Sequence, residues 1–252
     1  MTDPLFLADA DRLRAATVGE VFELGGPEGH HAATVRRLAV GEKLDLSDGA
    51  GLVFSAVVSA VTGHALQVEL LTQMRVESLL PRITVVQALA KGDRDELAVQ
   101  TMTEIGVDVI VPWQAARSIV RWDSPRAQKA VTRWRSTARE AAKQARRAWL
   151  VDVPPLESTP TVVARIDSVV RRGGLAVVLH EESERPLAGL TVPAQGEVVL
   201  VVGPEGGITP DEVSAFEAAG AITCRLGSTV LRTSTAGTVG AAVVLANSGR
   251  WS

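Results

Sequence analysis

Cysteine is nearly missing: the chain of 252 residues has one, Cys224. A lone thiol forms no internal disulfide, and no metal-ligating partners stand near it at useful spacing. A disulfide scaffold is therefore excluded, and a reducing cytoplasmic setting is expected. Cys224 itself reads as a small hydrophobe in a strand. Long apolar runs are missing too. No stretch reaches the roughly 18 uninterrupted apolar residues of a membrane span, and the amino-terminal MTDPLFLADADRLRAA carries acids in place of an apolar leader, so neither membrane association nor a secretory signal is expected. Basic charge is not in excess. The net charge of −3 argues against indiscriminate nucleic-acid binding, although a total conceals its distribution. Neither G-x-G-x-x-G nor G-x-x-x-x-G-K-[ST] occurs, which removes the two common nucleotide fingerprints.

What is present suits one or two globular domains, with 46% hydrophobic residues and a mean hydropathy of +0.17. The last quarter is the most informative. Val198–Val202 has the length and β-branched content of a strand buried on both faces. It ends in Gly203-Pro204-Glu205-Gly206-Gly207, followed by a helix start at Thr209, with Pro210 in the first turn, Glu212 three residues after the cap, and Gly220 closing the helix. A second strand, Ile222–Leu226, breaks into Gly227–Gly237 before a small-residue helix at 238–246. Two strand ends thus deliver two ligand-facing loops, one carrying a lone Arg232.

Upstream, residues to about 72 offer short strands at 18–24, 43–47, 52–61 and 65–71, punctuated by glycine turns, as in a small barrel or sandwich. A short helix near 29–41 carries His30, His31, Arg36 and Arg37. Adjacent histidines on a helix diverge by about 100°, so they suit an RNA-facing or structural role better than chelation. A linker covers 73–82. From residue 83 strands and helices alternate: a strand at 83–90, a cap at Asp93 with Glu96 three residues on, a helix at 97–105, a strand at 107–112, a helix from Ser124-Pro125 extending toward Arg147, another after a Thr159-Pro160 cap, and a strand at 175–180. That alternation predicts a parallel sheet with helices on both faces. Between Ser124 and Trp149 eight basic residues face one acid, Glu140. Trp122, Trp134 and Trp149 lie in or beside this stretch and suit core packing better than base stacking.

Val201-Val202-Gly203-Pro204-Glu205-Gly206-Gly207-Ile208-Thr209, then Leu226-Gly227, then Leu231-Arg232-Thr233 with Thr235-Ala236, resembles the signature of the RsmE family, the small-subunit ribosomal RNA uracil-N3 methyltransferases of the SPOUT superfamily. Other elements match in order: Lys91-Gly92-Asp93, Arg117-Ser118, Glu140 with Gln144 and Arg146 or Arg147, and Leu179-His180-Glu181. The resemblance implies a PUA-like RNA-binding β domain at 1–72 and a knotted α/β methyltransferase domain at 83–252 with a carboxyl-terminal trefoil knot. It further implies S-adenosylmethionine as cofactor, 16S ribosomal RNA of the small subunit as partner, and a homodimer; no metal is implied. The cofactor would be held by Leu179, His180, Gly203 to Ile208 (Pro204, Glu205, Gly206 and Gly207 between them), Leu226, Gly227, Leu231, Thr233, Thr235 and Ala236. RNA would meet His30, His31, Arg36, Arg37, Arg117, Arg139, Gln144, Arg146 and Arg147.

Methylating uracil N3 requires loss of the imide proton as the nitrogen attacks. Arg232 is the candidate to stabilise the developing charge on the uracil oxygens, its alternative role being a phosphate or carboxylate anchor. Glu205 is the candidate base or orienting group, its alternative being a hydrogen-bond acceptor for loop amides. Thr229 and Ser234 stand where the family often has Arg and Glu, so no proton-transfer role for that Glu carries over. Two other readings remain open: a noncatalytic RNA-binding or ribosome-assembly protein on the same fold, and an unrelated α/β enzyme binding a phosphorylated metabolite at Gly203–Gly207.

Overall fold

The computed structural model describes residues 3–92 and 94–251, apart from the side chains of 124–126. It divides into two compact units, residues to 78 together with 142–150, and residues 79–141 with those from 151 on.

In the first unit, strand β1 (Leu5–Leu7) runs parallel to β3 (Lys43–Ser47), and β4 (Leu52–Thr62), β5 (Ala65–Arg75) and β2 (Val21–Leu24) follow antiparallel, in the order β1-β3-β4-β5-β2. Side chains alternate across β5: Leu66, Val68 and Leu70 are fully buried while Gln67 and Glu69 face out. Two register shifts in β4, at Ser55/Ala56 and Val58/Ala60, bend the sheet into an open, curled half-barrel around Phe6, Leu13, Leu44 and Phe54. A short helix α1 (Ala10–Ala15), capped by Asp9, supplies Leu13. The helix near 29–41 is instead α2 (Gly26–His30) continuing into one π-helical turn, His31–Val35. Gly29 is required there, because a Cβ would lie 2.3 Å from the Leu24 carbonyl oxygen.

The second unit is a six-stranded parallel sheet in the order β11-β9-β10-β6-β7-β8, from β6 (Arg82–Ala88), β7 (Val109–Gln114), β8 (Glu157–Ser158), β9 (Leu175–Leu179), β10 (Glu197–Val202) and β11 (Ile222–Cys224). Alternate residues of the central strands enter two cores. Ile83, Val85, Val198 and Leu200 meet α3 (Arg94–Ile105), α4 (Ser124–Gln144) and α7 (Thr233–Asn247). Val86, Val111, Val178 and Val201 meet α5 (Thr159–Arg171) and α6 (Pro210–Ala218). Helices therefore cover both faces. No helix among the described residues is long and apolar enough to cross a membrane.

Several expected boundaries move. Helix α7 begins at Thr233, five residues before 238, because Thr233 is anchored by tertiary hydrogen bonds that compensate for its modest helix propensity. Thr159 does not cap α5; that place falls to Ser158, while the Thr159 hydroxyl accepts from the Trp113 indole (3.2 Å) and donates to Glu212 (2.9 Å). The cap expected at Asp93 and the Ser124-Pro125 side chains lie outside the described residues. The Thr209 capping box is formed, and its Glu212 does more than close a helix. One oxygen accepts from the Thr209 amide and hydroxyl, and the other from the Ala116 amide (2.8 Å) and Thr159.

One buried carboxylate thus joins the starts of two helices to the loop after β7. Hydrogen bonds to a charged acceptor are worth about 1.5–3 kcal/mol each. Glu212→Ala is expected to lower the unfolding free energy by at least ~3 kcal/mol, and Glu212→Gln, which keeps one acceptor oxygen, by less, as read from urea denaturation. Equal stability of all three proteins would show that the carboxylate is dispensable.

Candidate active site

The carboxyl ends of β9 and β10 and the loop after β11 open onto one cleft, the usual ligand side of a parallel sheet. Two adjoining hollows of 280 and 110 Å³ share the walls Leu179, His180, Glu181, Val230, Leu231 and Ala236. The larger adds Gly203, Pro204, Glu205, Gly207, Ile208, Arg232 and Thr233, and the smaller adds Leu226 and Gly227. All but two of the residues expected to hold a cofactor therefore line the cleft; the exceptions are Gly206 and Thr235. Gly206 instead packs under the loop after β7, where a Cβ would lie 3.1 Å from the Arg117 carbonyl oxygen. Arg225, Ser228 and Val230 also line the cleft without having been singled out from the sequence, as do Val202 and Thr229, which the signature included without a cofactor role.

The cleft is held shut at its back by a buried hydrogen-bond chain. The Gln87 amide nitrogen, at the end of β6, donates to the Thr233 hydroxyl (2.9 Å), and that hydroxyl donates to the Gly203 carbonyl (2.7 Å). Gly237 lets α7 seat there, since a Cβ would stand 2.9 Å from Met102 Sδ and 3.1 Å from Gln87 Oε1. The chain thus leaves the β11 edge and returns across the sheet to β10 and β6, the path that a carboxyl-terminal knot requires.

The front is different. Among the described residues, the backbone groups of 226–231 form no hydrogen bond with the protein, so their N–H and C=O groups are left to water or a ligand. With half-buried Leu226 and Leu231 beside them, this edge suits a flat, apolar ring with polar margins. S-adenosylmethionine, with its adenine, fits such a donor set; the glycine loop at 203–207 offers close backbone approach without side-chain charge.

The two charged candidates in the cleft differ in what they touch. Arg232 is exposed, and among the described residues its guanidinium has no hydrogen bond or ion pair; its carbonyl receives the amides of Thr235 and Ala236 at the start of α7. Glu205 has one oxygen, Oε1, held by the Lys91 amide (3.2 Å) and Arg94 (3.5 Å). Ser234 is buried in the first turn of α7. Behind the cleft, Cys224 accepts the His180 amide on its carbonyl. Burial pushes its thiol up, with Arg185 opposing, which keeps the sulfur neutral.

The residues expected to meet RNA fall into separate places. In the first unit His31, Arg36, Gln144 and Arg146 line one hollow. His30 turns away to His64, ring centroids 4.9 Å apart, with Thr34 bridging to both rings. Arg37, Arg147 and His30 do not line that hollow. In the second unit Arg117 donates to Gly206 (3.3 Å) and Arg139 is exposed on α4. The basic stretch is less open than its charge count suggests: Lys143 is buried on Glu28 (3.0 Å), and Arg133 pairs with Glu96. Trp134 is buried against Trp122 and donates to Asp95, which removes it as a stacking platform.

Residues 77–245 match a family model described as an RNA methyltransferase domain, and residues 24–71 one described as an RNA methyltransferase PUA domain. The chain is similar to Ribosomal RNA small subunit methyltransferase E of Mycobacterium tuberculosis, with 45% identity covering 92% of this chain and 89% of the relative. The protein of that name from Bacillus subtilis is 30% identical, covering 85% and 86%. Among solved structures, the Neisseria gonorrhoeae protein of the same name, bound to S-adenosyl methionine, superposes with a TM-score of 0.84 at 26% identity, covering 97% of this chain and 98% of that one.

The latch at Thr233 can be tested directly. Thr233→Val keeps the shape but removes both roles of the hydroxyl, and is expected to cost about 1–3 kcal/mol with faster amide exchange across residues 226–236. Thr233→Ser should retain both. Unchanged exchange in the valine protein would show that the latch does not hold the loop.

Proposed function

Since the chain belongs to the ribosomal RNA small subunit methyltransferase E family, we propose that it transfers a methyl group from S-adenosylmethionine to N3 of one uridine of 16S ribosomal RNA. The observation that carries this reading is the cleft, with a backbone edge open to a cofactor and, in its lining, an arginine unpaired among the described residues. When bound, the cofactor supplies a methyl group on a sulfonium, whose departure as a neutral thioether leaves no charge to stabilise. The demand on the protein is therefore at the uracil.

Arg232 meets that demand. Its fixed positive charge accommodates the negative charge that develops on the uracil oxygens as N3 gives up its proton, to Glu205 or to water, and the new N–C bond would form as the methyl–sulfur bond breaks. Glu205 organises the turn at Lys91 and Arg94 through Oε1 and lines the same hollow, which makes it the candidate to orient the imide or to accept its proton. Leu226 and Leu231 would pack against the adenine, and Leu179, His180, Gly227, Thr235 and Ala236 would complete the cofactor's surroundings. Gly203, Pro204, Gly206, Gly207, Ile208 and Thr233 set the backbone that faces it.

In the same reading, residues 1–72 bind RNA and 83–252 carry out transfer, joined by 73–82, in a cytoplasmic enzyme acting on the small subunit. Exposed Leu97 on α3 and Val239 on α7 support a homodimer through those adjoining helices, which Thr101 and Thr238 tie together at 2.6 Å. Arg117 and Arg139, with His30, His31, Arg36, Arg37, Gln144, Arg146 and Arg147, are the RNA contacts.

Removing one charge-stabilising donor typically costs 10²- to 10³-fold in turnover. Arg232→Ala should lose methyl transfer to that extent while keeping its affinity for S-adenosylmethionine in calorimetry. Loss of cofactor binding in this variant would move Arg232 from the chemistry to the architecture of the loop. Mass mapping of small-subunit RNA from cells lacking the protein should show one missing N3-methyluridine, restored by the purified enzyme. If no mark is missing and none is added, the catalytic reading fails.

A further inference from the structure

The first unit holds a second hollow, of 180 Å³, that the transfer reaction does not use. Its apolar lining comes from half-buried Pro4 and from Leu5 and Phe6 of β1, which are themselves buried, with the His31 ring edge-on to Phe6. Its remaining lining is basic and polar, from His31 and Arg36 of the π-helical turn and its exit, from Gln144 at the end of α4, and from Arg146 just past it. More than a hundred residues separate the two basic segments in the chain, so only the fold brings them together. Lys143 also reaches this wall, but its ammonium is committed to Glu28. Arg36 is exposed, and among the described residues its side chain has no hydrogen bond or ion pair.

The backbone at Arg146 is the second observation. Helix α4 ends with the Arg147 amide on the Ala142 carbonyl (2.9 Å) and the Arg146 amide on the Lys143 carbonyl (3.1 Å), a termination that places the residue at 146 in the left-handed region. Glycine is the residue that fits there without cost, yet the chain has arginine at φ 54°. A side chain kept where the backbone disfavours one, and lining a basic hollow, is a functional signal.

We propose that this hollow binds one unpaired nucleotide of the substrate RNA, its phosphate against Arg36 and Arg146 and its base beside Pro4 and the half-buried His31 ring. Single-stranded RNA is recognised in this way, by a cationic grip on the backbone and a flat apolar surface for the base, whereas a duplex presents no base to such a hollow. This deepens the methyltransferase reading and rests on it: the nucleotide belongs to the same subunit RNA and is not the reacting uridine.

The test uses the full-length protein, small ribosomal subunits from cells lacking it, and two variants, Arg36→Ala and Arg146→Gly. Each should weaken filter binding to the subunits about tenfold, reduce the salt dependence by about one counterion, and act on KM rather than kcat. Affinity for S-adenosylmethionine should stay as in the parent. Arg146→Gly should melt close to the parent's temperature, relief of the left-handed backbone offsetting loss of the charge that acts on Asp45, which separates lost recognition from lost folding. If both variants bind subunits as the parent does while the parent methylates them, the pocket proposal is wrong and the enzyme reading stands. If the parent binds but does not methylate, the enzyme reading is wrong, and filter binding of the variants still decides the pocket.

Discussion

The cleft depends on one buried polar chain, from the Gln87 amide through the Thr233 hydroxyl to the Gly203 carbonyl. Those three residues come from the end of β6, the start of α7 and the loop after β10. In a low-dielectric interior such a chain is strong when complete and costly when broken, so it fixes the separation of the loops it joins. Gly237 extends the constraint one turn into α7, where the helix touches Met102 and Gln87 too closely to admit a side chain. Everything ligand-facing at 226–236 hangs from that fixed point.

The carboxylates around the cleft serve mainly to position backbone. Glu212 gathers Thr209, Ala116 and Thr159, and Glu205 gathers Lys91 and Arg94. Each holds a loop that a parallel sheet would otherwise leave loose at its carboxyl edge. Glu205 and Glu212 are thus engaged, whereas among the described residues the Arg232 guanidinium is not, which suits a reaction whose charge develops as an anion on the substrate.

The buried runs of the sheet were legible because a strand covered on both faces needs continuous apolar residues, and Val198–Val202 has nothing else. The Thr209 box was legible because capping is local. The early start of α7 was not, since Thr233 owes its helical place to Gln87 and Gly203, which are distant in sequence. Gln87 itself gave no signal: one polar residue at the end of an apolar run looks like the edge of a strand. Strand β1 escaped because three residues, Leu5–Leu7, are too few for periodicity. Charge counting overstated the basic helix, since Lys143 and Arg133 spend their charge on Glu28 and Glu96, partners that a local count does not see. The family signature located most of the cleft lining, whereas the place of 142–150 in the first unit required the coordinates.

The uncommitted backbone of residues 226–231 bears on how freely such a protein can drift. A ligand read by peptide groups places demands on chain path and not on side-chain chemistry, so the information that specifies binding resides in Gln87, Thr233 and the glycines that set the path. Thr229, exposed in this loop, and Ser234, buried in the turn below it, have side chains that form no hydrogen bond among the described residues, so the path does not depend on them. Sequence divergence and conservation of the binding surface are, in this stretch, separable quantities.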